Sequence, residues 1–130
     1  MASFAQEYIS NNGASDPIFQ LYVGNATESY AKSLGAWESL LTSNKEGVLL
    51  RCDDIDGNCH QDGWRGHWRG ENGTSETVIC DASYTDRVYA NAFCMFGYEL
   101  AATKPQQYWG IDLIHRLFHV PAVSNGAVEH

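Results

Sequence analysis

The sequence lacks any run of about twenty apolar residues, the length that a helix needs to cross a bilayer, so it predicts no membrane span. It is also poor in basic residues, with 8 lysines and arginines against 16 aspartates and glutamates and a net charge of −8. Such a surface repels phosphate backbones, which argues against nucleic-acid binding, and it attracts mobile cations. With 130 residues, 44% of them hydrophobic, the chain suits one domain with one core.

The Cys-x-x-Cys spacing of structural zinc sites is also missing. The four cysteines, Cys52, Cys59, Cys80 and Cys94, therefore favour two disulfides over a zinc knot, and disulfides imply an oxidising compartment. Three connectivities are open. We favour Cys52–Cys59, which closes the acidic loop 53–58, together with Cys80–Cys94.

A histidine pair at helical spacing lies near the C-terminus. His115 and His119 stand at i and i+4, so a helix places their Cβ atoms about 5–6 Å apart on one face. That separation suits one Zn²⁺, bound at about 2.0–2.1 Å per nitrogen. In His-Glu-x-x-His peptidases the residue after the first histidine is a glutamate general base. Here it is Arg116, which cannot accept a proton, so the pattern predicts a zinc site without the ordinary means of hydrolysis.

A third ligand is expected from the end of the chain. Val120 precedes Pro121, which predicts that the helix stops just after the second histidine. Ser124-Asn125-Gly126 is a turn signal that can send the chain back across the helix end. His130 lies on that return and would supply a third nitrogen for an ion that needs three or four protein ligands. A remnant of a histidine tag is the alternative origin of His130.

Three other side chains are expected to surround these ligands. Asp112 and Arg116 stand at i and i+4, in an orientation worth a few tenths of a kcal/mol on a helix surface. Pairing with Asp112 would turn the guanidinium away from the metal. Glu129 and Asp112 are the candidates for a general base of a different kind.

The stretch 112–123, Asp-Leu-Ile-His-Arg-Leu-Phe-His-Val-Pro-Ala-Val, followed by 128–130, Val-Glu-His, resembles the secreted fungal His-Arg-x-x-His family. The likeness extends to 78–84 and to Cys94, and so covers about the C-terminal half. The family includes allergens and pH-regulated and zinc-regulated surface proteins. It is classed with the zincin-type peptidases, and several members are implicated in zinc scavenging.

The resemblance implies an α+β fold, a small zincin-like, deuterolysin-related half-domain that is helix-rich and has a short sheet. It also implies a Zn²⁺ cofactor and a secreted, extracellular or cell-surface protein, with a surface or host protein as a further partner. Family members usually continue past the Val-Glu-His element. We therefore expect residues 1–130 to be a single zincin-like domain of a short member or of a chain truncated at its C-terminus.

The N-glycosylation sequons Asn25-Ala26-Thr27 and Asn72-Gly73-Thr74 agree with secretion, although such sequons also occur by chance. Periodicity and capping signals complete the map. They predict helices over 17–22, 27–42 and 85–96 and a histidine helix after Pro105, strands over 48–52 and 76–80, and a glycine-rich excursion over 63–73.

Two other patterns lie in the middle of the chain. Residues 54–58 resemble a calcium loop, but the required glycine and glutamate are replaced by Cys59 and Arg65, which favours a polar turn. The near-tandem Trp-Arg-Gly of 64–70 predicts a hairpin packed on the core or, alternatively, a surface that stacks on sugars or bases. His60 and His67 are candidates for additional metal ligands, but neither has a helical or short-range partner, so they are predicted to be plain loop histidines.

Three functions are thus open. The first is a zinc-binding scavenger or carrier, the second is a weak metallopeptidase with a different base, and the third is a metal-free effector or allergen-like interaction module.

Overall fold

The computed structural model describes residues 1–93, 95, 99, 102 and 107–128 of the chain. In these residues six α-helices and three short β-strands form an α+β arrangement, as the sequence predicts. In chain order the elements are α1 (Ala2–Asn12), α2 (Pro17–Val23), α3 (Thr27–Thr42), β1 (Leu49–Arg51), β2 (Gly66–Trp68), β3 (Glu76–Ile79), α4 (Asp81–Asp86), α5 (Trp109–Phe118) and α6 (Pro121–Ser124). None of these helices combines the length and the apolar character needed to cross a membrane.

The strands form one mixed sheet with β3 in the centre. β1 pairs with β3 in parallel and β2 pairs with it antiparallel. The strands predicted over 48–52 and 76–80 are confirmed as β1 and β3, and residues 77–79 are buried. The prediction that β1 is buried is wrong. It is an edge strand, and Leu49 and Leu50 are 46% and 39% exposed.

The chain enters the fold through three helices. Asp16 caps α2 by accepting a hydrogen bond from the Phe19 N–H at 2.8 Å, with Pro17 in the first turn, which confirms the predicted start. α3 spans the whole of the second predicted helix. Sequence reasoning misses α1 because this helix has no side-chain cap and buries only Ile9.

The main apolar cluster joins α3 to the C-terminal helices. Its buried members are Leu40, Val120 and Val123. The side chains packed against them are those of Ala2, Trp37, Val48, Trp68, Ile114, Leu117 and Phe118. Ser39 Oγ donates a hydrogen bond to the Val123 carbonyl at 2.6 Å. These contacts hold the histidine-bearing helix α5 against α3.

The segment after α5 has a predicted turn and an additional helix. α5 ends at Phe118, and Val120 has extended backbone before Pro121, as predicted. Pro121 then begins α6, because its fixed φ suits the first position of a helix. Asn125 and Gly126 adopt positive φ angles of 53° and 69°, which confirms the turn.

The helix predicted over 85–96 is wrong where the structure describes it. α4 ends at Asp86, where that helix was expected to begin, and Arg87 is extended with φ −89° and ψ 142°. Val88 forms a parallel bridge with Tyr108 through backbone hydrogen bonds on both sides. This long-range pairing overrides the local capping signal. Part of the predicted range lies outside the described residues.

The described residues contain a disulfide between Cys59 and Cys80, whose Cα atoms lie 5.4 Å apart. The favoured pairings Cys52–Cys59 and Cys80–Cys94 are therefore wrong. The acidic loop does not close on itself but is joined to the end of β3. Cys52 is an exposed thiol whose Sγ lies 3.3 Å from the Tyr84 hydroxyl, and Cys94 lies outside the described residues.

Candidate metal centre

The C-terminal end of α5 carries the predicted histidine pair. His115 lies in the last turn and is exposed, whereas His119 is the C-cap residue and is partly buried. Their ring centroids are 4.7 Å apart and the ring planes are inclined at 86°. The i, i+4 spacing thus brings both imidazoles to one side of the helix, near enough for a single ion after modest ring rotation.

Arg116 points away from this pair and into the sheet. Its side chain is 6% exposed, and its Nε donates to Asp112 Oδ2 at 2.8 Å. Nη1 donates to the Val78 carbonyl at 3.1 Å, and Nη2 donates to the Arg65 carbonyl at 2.9 Å. The arginine of the His-Arg-x-x-His motif therefore ties α5 to β3 and to the residue before β2.

Gly66 makes room for this guanidinium. A Cβ atom at that position of β2 would overlap both the Arg116 guanidinium and the Val78 carbonyl oxygen. A glycine inside a strand often marks a place where another group approaches the backbone closely. Gly66 and Arg116 are thus a matched pair on two different elements.

Asp112 is the buried anion opposite this arginine. It is 2% exposed and accepts hydrogen bonds from Arg116 and, at 2.9 Å, from Arg87 Nη2. The Arg87 side chain is 12% exposed. One carboxylate therefore faces two guanidinium groups where little water is present. The predicted Asp112–Arg116 pair is present, and because it is buried, the loss of either partner costs more than at an exposed helical pair.

A cleft of about 1150 Å³ opens beside this buried cluster. His115 and Arg116 contribute to its lining, as do His67 of β2 and Trp64 in the loop before β2. Asp62 adds a carboxylate. The cleft thus borders the exposed imidazole of His115.

The tandem Trp-Arg-Gly segment divides between the core and this cleft. Trp68 packs against the main apolar cluster, and its Nε1–H donates to the Thr74 carbonyl at 2.9 Å. This confirms the hairpin interpretation for Trp68. Trp64 is 39% exposed and lines the cleft, so the stacking alternative stays a prediction for that residue.

The carboxylates of the acidic loop bind groups of the protein itself. Asp53 accepts a hydrogen bond from Arg51 Nε at 2.9 Å, and Asp56 accepts from Arg69 Nε and Nη2 at 2.8 and 3.0 Å. Asp54 accepts two backbone N–H groups at 3.0 Å, which shapes the turn. These contacts favour the polar-turn interpretation over a calcium loop.

The prediction that His67 is a loop histidine is wrong, because it lies in β2 with a side chain only 7% exposed. Its Nε2 is 3.2 Å from Asp56 Oδ2, and its Nδ1 is buried and has no hydrogen-bond partner among the described residues. Hydrogen bonds from Arg69 and, to a smaller extent, from His67 lower the pKa of Asp56 from 3.8 to about 2.

His67 also belongs to a group of side chains that could hold a metal ion. One of its ring nitrogens and the sulfurs of Cys59 and Cys80 all lie within 4.8 Å of one another. Metals bind thiolates, so this group is competent only when the disulfide is open. Sequence reasoning missed this group because Cys59 and Cys80 are 21 residues apart, so they form no short motif of metal ligands.

No described contact joins the other predicted site residues to the histidine pair of α5. His130 and Glu129 lie outside the described residues. His60 is exposed in the acidic loop region, as predicted. Asn25 and Asn72 are both exposed, and their glycosylation stays a prediction.

Comparison with known proteins gives a family. The model of a family described as "HRXXH: Putative peptidase family" matches residues 1–130. The chain is 45% identical over 130 residues to the major allergen Asp f 2 of Aspergillus fumigatus, covering 100% of this chain and 41% of that protein. It is 41% identical over 130 residues to Antigen 1 of Emericella nidulans, covering 100% of this chain and 46% of the relative.

A further relative is the pH-regulated antigen PRA1 of Candida albicans, which is 35% identical over 130 residues, or 100% of this chain and 43% of the relative. The chain thus spans less than half the length of these three relatives. No solved structure matches it significantly.

Proposed function

Because the chain belongs to the HRXXH putative peptidase family, we propose that it is a zinc-binding protein with a degenerate peptidase site. His115 and His119 hold the ion. The observation that carries this proposal is the contact of their rings at 4.7 Å on a helix that Arg116 anchors to the sheet. Neutral imidazoles are preferred zinc ligands, and a net charge of −8 favours cation approach.

Two imidazoles alone do not complete a zinc site, because zinc in proteins takes three or four protein ligands. We propose His130 as the third, because the turn with positive φ at residues 125–126 can return the chain toward the helix end. In relatives more than twice as long, further ligands can come from segments that this chain does not cover.

The anchoring of α5 favours a high zinc affinity even though the site has few protein ligands. Arg116 and the apolar cluster fix the helix on two sides, so the backbone positions of both histidines are set before an ion arrives. Less conformational entropy is then lost on binding. Arg116 thereby acts on the metal site indirectly, by holding the helix that carries both ligands.

We propose that the protein hydrolyses peptides slowly or not at all. Arg116 occupies the position of the general base in the zincin pattern and donates its hydrogen bonds to the sheet and to Asp112. Asp112 is a poor replacement, because it is 2% exposed and both of its oxygens accept from arginines. The absence of a general base typically costs 10²–10⁴-fold in rate. An active peptidase that uses Glu129 as its base is the alternative.

We further propose a secreted or cell-surface protein that scavenges zinc or contacts a host. The support is that three relatives are named as an allergen and antigens. The Cys59–Cys80 disulfide also favours an oxidising compartment. A metal-free interaction module of the same family is a second alternative, in which the histidine pair holds no ion.

Zinc titration of protein purified without a histidine tag tests the proposal. We expect one Zn²⁺ per chain, and we expect the His115→Ala/His119→Ala variant to lose it. His60→Ala is the matched control, since it removes another exposed histidine, and it should bind as tightly as the wild type. Affinity should fall as the pH drops below about 6.5, because protonated imidazoles cannot bind.

The alternatives give different results. Unchanged zinc affinity in the double histidine variant would contradict the assignment of ligands. Wild type that binds no zinc and has a melting temperature indifferent to it would favour the interaction module. Chelator-sensitive cleavage of casein, absent from the double variant, would favour the peptidase.

The change Arg116→Glu restores the His-Glu-x-x-His sequence pattern, but the contacts of Arg116 argue against a gain of peptidase activity. The new carboxylate would start beside Asp112, and the hydrogen bonds from the guanidinium to the Val78 and Arg65 carbonyls would be lost. Like charges in a buried site are destabilising, and α5 would lose its ties to the sheet. We expect this variant to fold poorly and not to gain hydrolysis.

A further inference from the structure

The disulfide between Cys59 and Cys80 lies near His67, and one ring nitrogen of His67 has no hydrogen-bond partner among the described residues. His67 Nε2 faces Asp56 Oδ2 at 3.2 Å, while Nδ1 is buried without a hydrogen-bond partner among the described residues. If Nε2 carries the proton that Asp56 accepts, Nδ1 presents a lone pair to a dry environment. A buried acceptor without a donor is costly, so this arrangement calls for an additional ligand.

The surroundings of His67 match the outer sphere of a metal site. Histidine ligands commonly donate their second ring N–H to a carboxylate, which fixes the tautomer and orients the ring. Asp56 is itself fixed by Arg69 at 2.8 and 3.0 Å. The imidazole is therefore held in one orientation whether or not an ion is present.

We propose that Cys59, His67 and Cys80 form a second metal site, separate from the histidine pair of α5, that opens when the disulfide is reduced. The one ring nitrogen and the two sulfurs already lie within 4.8 Å of one another. Two thiolates and one imidazole suit Zn²⁺ or another thiophilic divalent ion. A fourth position is left for water or for an external ligand.

The chemistry needs a reductant of the dithiol class. The dithiol transfers two electrons and two protons to the Cys59–Cys80 bond, so its own sulfurs become a disulfide and both cysteines become thiols. The ion then displaces one proton from each thiol, and two protons are released per metal bound. In the reverse direction the disulfide form of that dithiol accepts two electrons from the two thiolates and takes up two protons, so the Cys59–Cys80 bond re-forms and the ion is released.

The backbone keeps the three ligands in place without the disulfide. The Cys80 N–H donates to the Arg65 carbonyl at 3.0 Å, next to the β2–β3 pairing that positions His67. The Cys59 N–H donates to Asp54 Oδ2 at 3.0 Å. Around zinc the sulfurs need to separate to only about 3.7 Å, given Zn–S bonds of about 2.3 Å, which side-chain rotation allows for Cα atoms 5.4 Å apart.

Cobalt titration tests the site in a background that removes competing ligands. The background carries His115→Ala and His119→Ala, so that failure of the zinc proposal for α5 does not affect the result. It also carries Cys52→Ser and Cys94→Ser, so that Cys59 and Cys80 supply the only thiols. After reduction with dithiothreitol and anaerobic desalting, we expect one Co²⁺ per chain with thiolate-to-cobalt charge-transfer absorption. The oxidised protein should bind none at this site.

Variants of the proposed ligand His67 and of its partner Asp56 sharpen the test. His67→Ala, and His67→Gln as the variant that keeps more side-chain volume, should each weaken cobalt binding at least about tenfold. Asp56→Asn should weaken it by about 10–100-fold. Asp53→Asn is the matched control in the same loop, since Asp53 pairs with Arg51, and it should leave the affinity unchanged.

The melting temperature of the reduced protein tests the site even if the fold depends on the Cys59–Cys80 crosslink. Reduction should lower the melting temperature, and added Zn²⁺ should restore most of the loss, because the ion replaces the covalent link. Reduced protein that takes up no cobalt would overturn the proposal. So would thiolate-type cobalt binding that is unaffected by both His67 variants, or collapse on reduction despite excess zinc.

Discussion

Two groups of arginines and carboxylates hold the sheet of this protein, and they differ in how much water reaches them. The buried cluster consists of Arg87, Asp112 and Arg116, with side chains 12%, 2% and 6% exposed. The loop network consists of Arg51, Asp53, Asp56, Arg69 and Glu76, with side chains that range from 10% to 62% exposed. The same residue types therefore occur in a group that is buried throughout and in a group that runs from the largely buried pair Asp56 and Arg69 to the exposed Asp53.

The difference shows what the arginine of the family motif does. In the buried cluster a charge that loses its partner cannot be hydrated, so each group depends on the others. At the exposed end of the loop network water can replace a lost partner, so a single pair there matters little. Arg116 belongs to the first kind. This explains why the position next to His115, the proposed metal ligand, can hold a cation, because the cation bonds to the sheet.

The largest effect should come from removing the central arginine of the buried cluster. We expect Arg116→Ala to lower the free energy of unfolding by about 3–5 kcal/mol, because it leaves Asp112 beside Arg87 alone and removes the guanidinium that ties α5 to the Val78 and Arg65 carbonyls. Denaturant unfolding measures the loss. Arg51→Ala, which removes an arginine from the loop network, should cost far less. Equal losses would remove the distinction between the two groups.

The next effect concerns the space that Gly66 leaves for this arginine. We expect Gly66→Ala to destabilise the protein by about 1–3 kcal/mol, because the new methyl group overlaps the Arg116 guanidinium and the Val78 carbonyl. Gly57→Ala is the control, since its φ is also positive but nothing lies within 4 Å of the added Cβ.

A double-mutant cycle separates crowding from backbone strain. Gly66→Ala combined with Arg116→Ala should be less destabilising than the sum of the two single changes, because the overlap with the guanidinium is then relieved. Additive losses would indicate that the Val78 carbonyl, and not Arg116, sets the requirement for glycine.

Local signals in the sequence are enough for the elements that depend on local chemistry. The Asp16-Pro17 start of α2, the end of α5 before Pro121 and the i, i+4 ion pair of α5 all follow from neighbours along the chain. The i, i+4 spacing also places the two imidazoles of α5 together.

The rest depends on contacts between distant residues, which leave no periodic pattern. Arg87 has the sequence context of a helix, yet its extended backbone serves a pair with Asp112. Cys59 was expected to bond to a near neighbour, but the acidic loop folds over the sheet and brings it to Cys80. His67 has no sequence signal of its own, because its strand is only three residues long.

Acid should act on the loop network by protonating the carboxylates that its arginines keep ionised. The pKa of Asp56 is lower in the folded protein than the ordinary 3.8, so folding favours its ionised form. Its stabilisation is thus complete above about pH 4 and is lost as the pH falls toward 2. The pKa values of Asp53, Glu76 and Asp86 are also lowered, each chiefly by a hydrogen bond from an arginine, so these carboxylates too lose their stabilisation as the pH falls below their ordinary pKa values.

The melting temperature as a function of pH tests this prediction. We expect Asp56→Asn to be less stable than wild type at neutral pH, and the two curves to converge as the pH falls toward 2. A variant whose melting temperature falls as steeply as that of wild type would show that Asp56 does not contribute to the acid sensitivity.

The smallest effect should come from the exposed end of the loop network. Asp53 is 62% exposed, and Asp53→Asn should shift the melting temperature by about 1 °C or less, because water replaces Arg51 as its partner. A shift as large as that of Arg116→Ala would mean that the loop network behaves as one cooperative unit, and the comparison with the buried cluster would then fail.

The bridge between Val88 and Tyr108 has a consequence for how the family can vary in length. The Val88 N–H donates to the Gln107 carbonyl at 2.9 Å, and the Trp109 N–H donates to the Val88 carbonyl at 3.0 Å, so the two ends of the intervening segment are joined at its base. These contacts hold the start of α5 directly. A change of chain length just after the exposed Tyr89 should therefore leave α5 and its histidines in place, which makes this position suitable for grafting a foreign peptide.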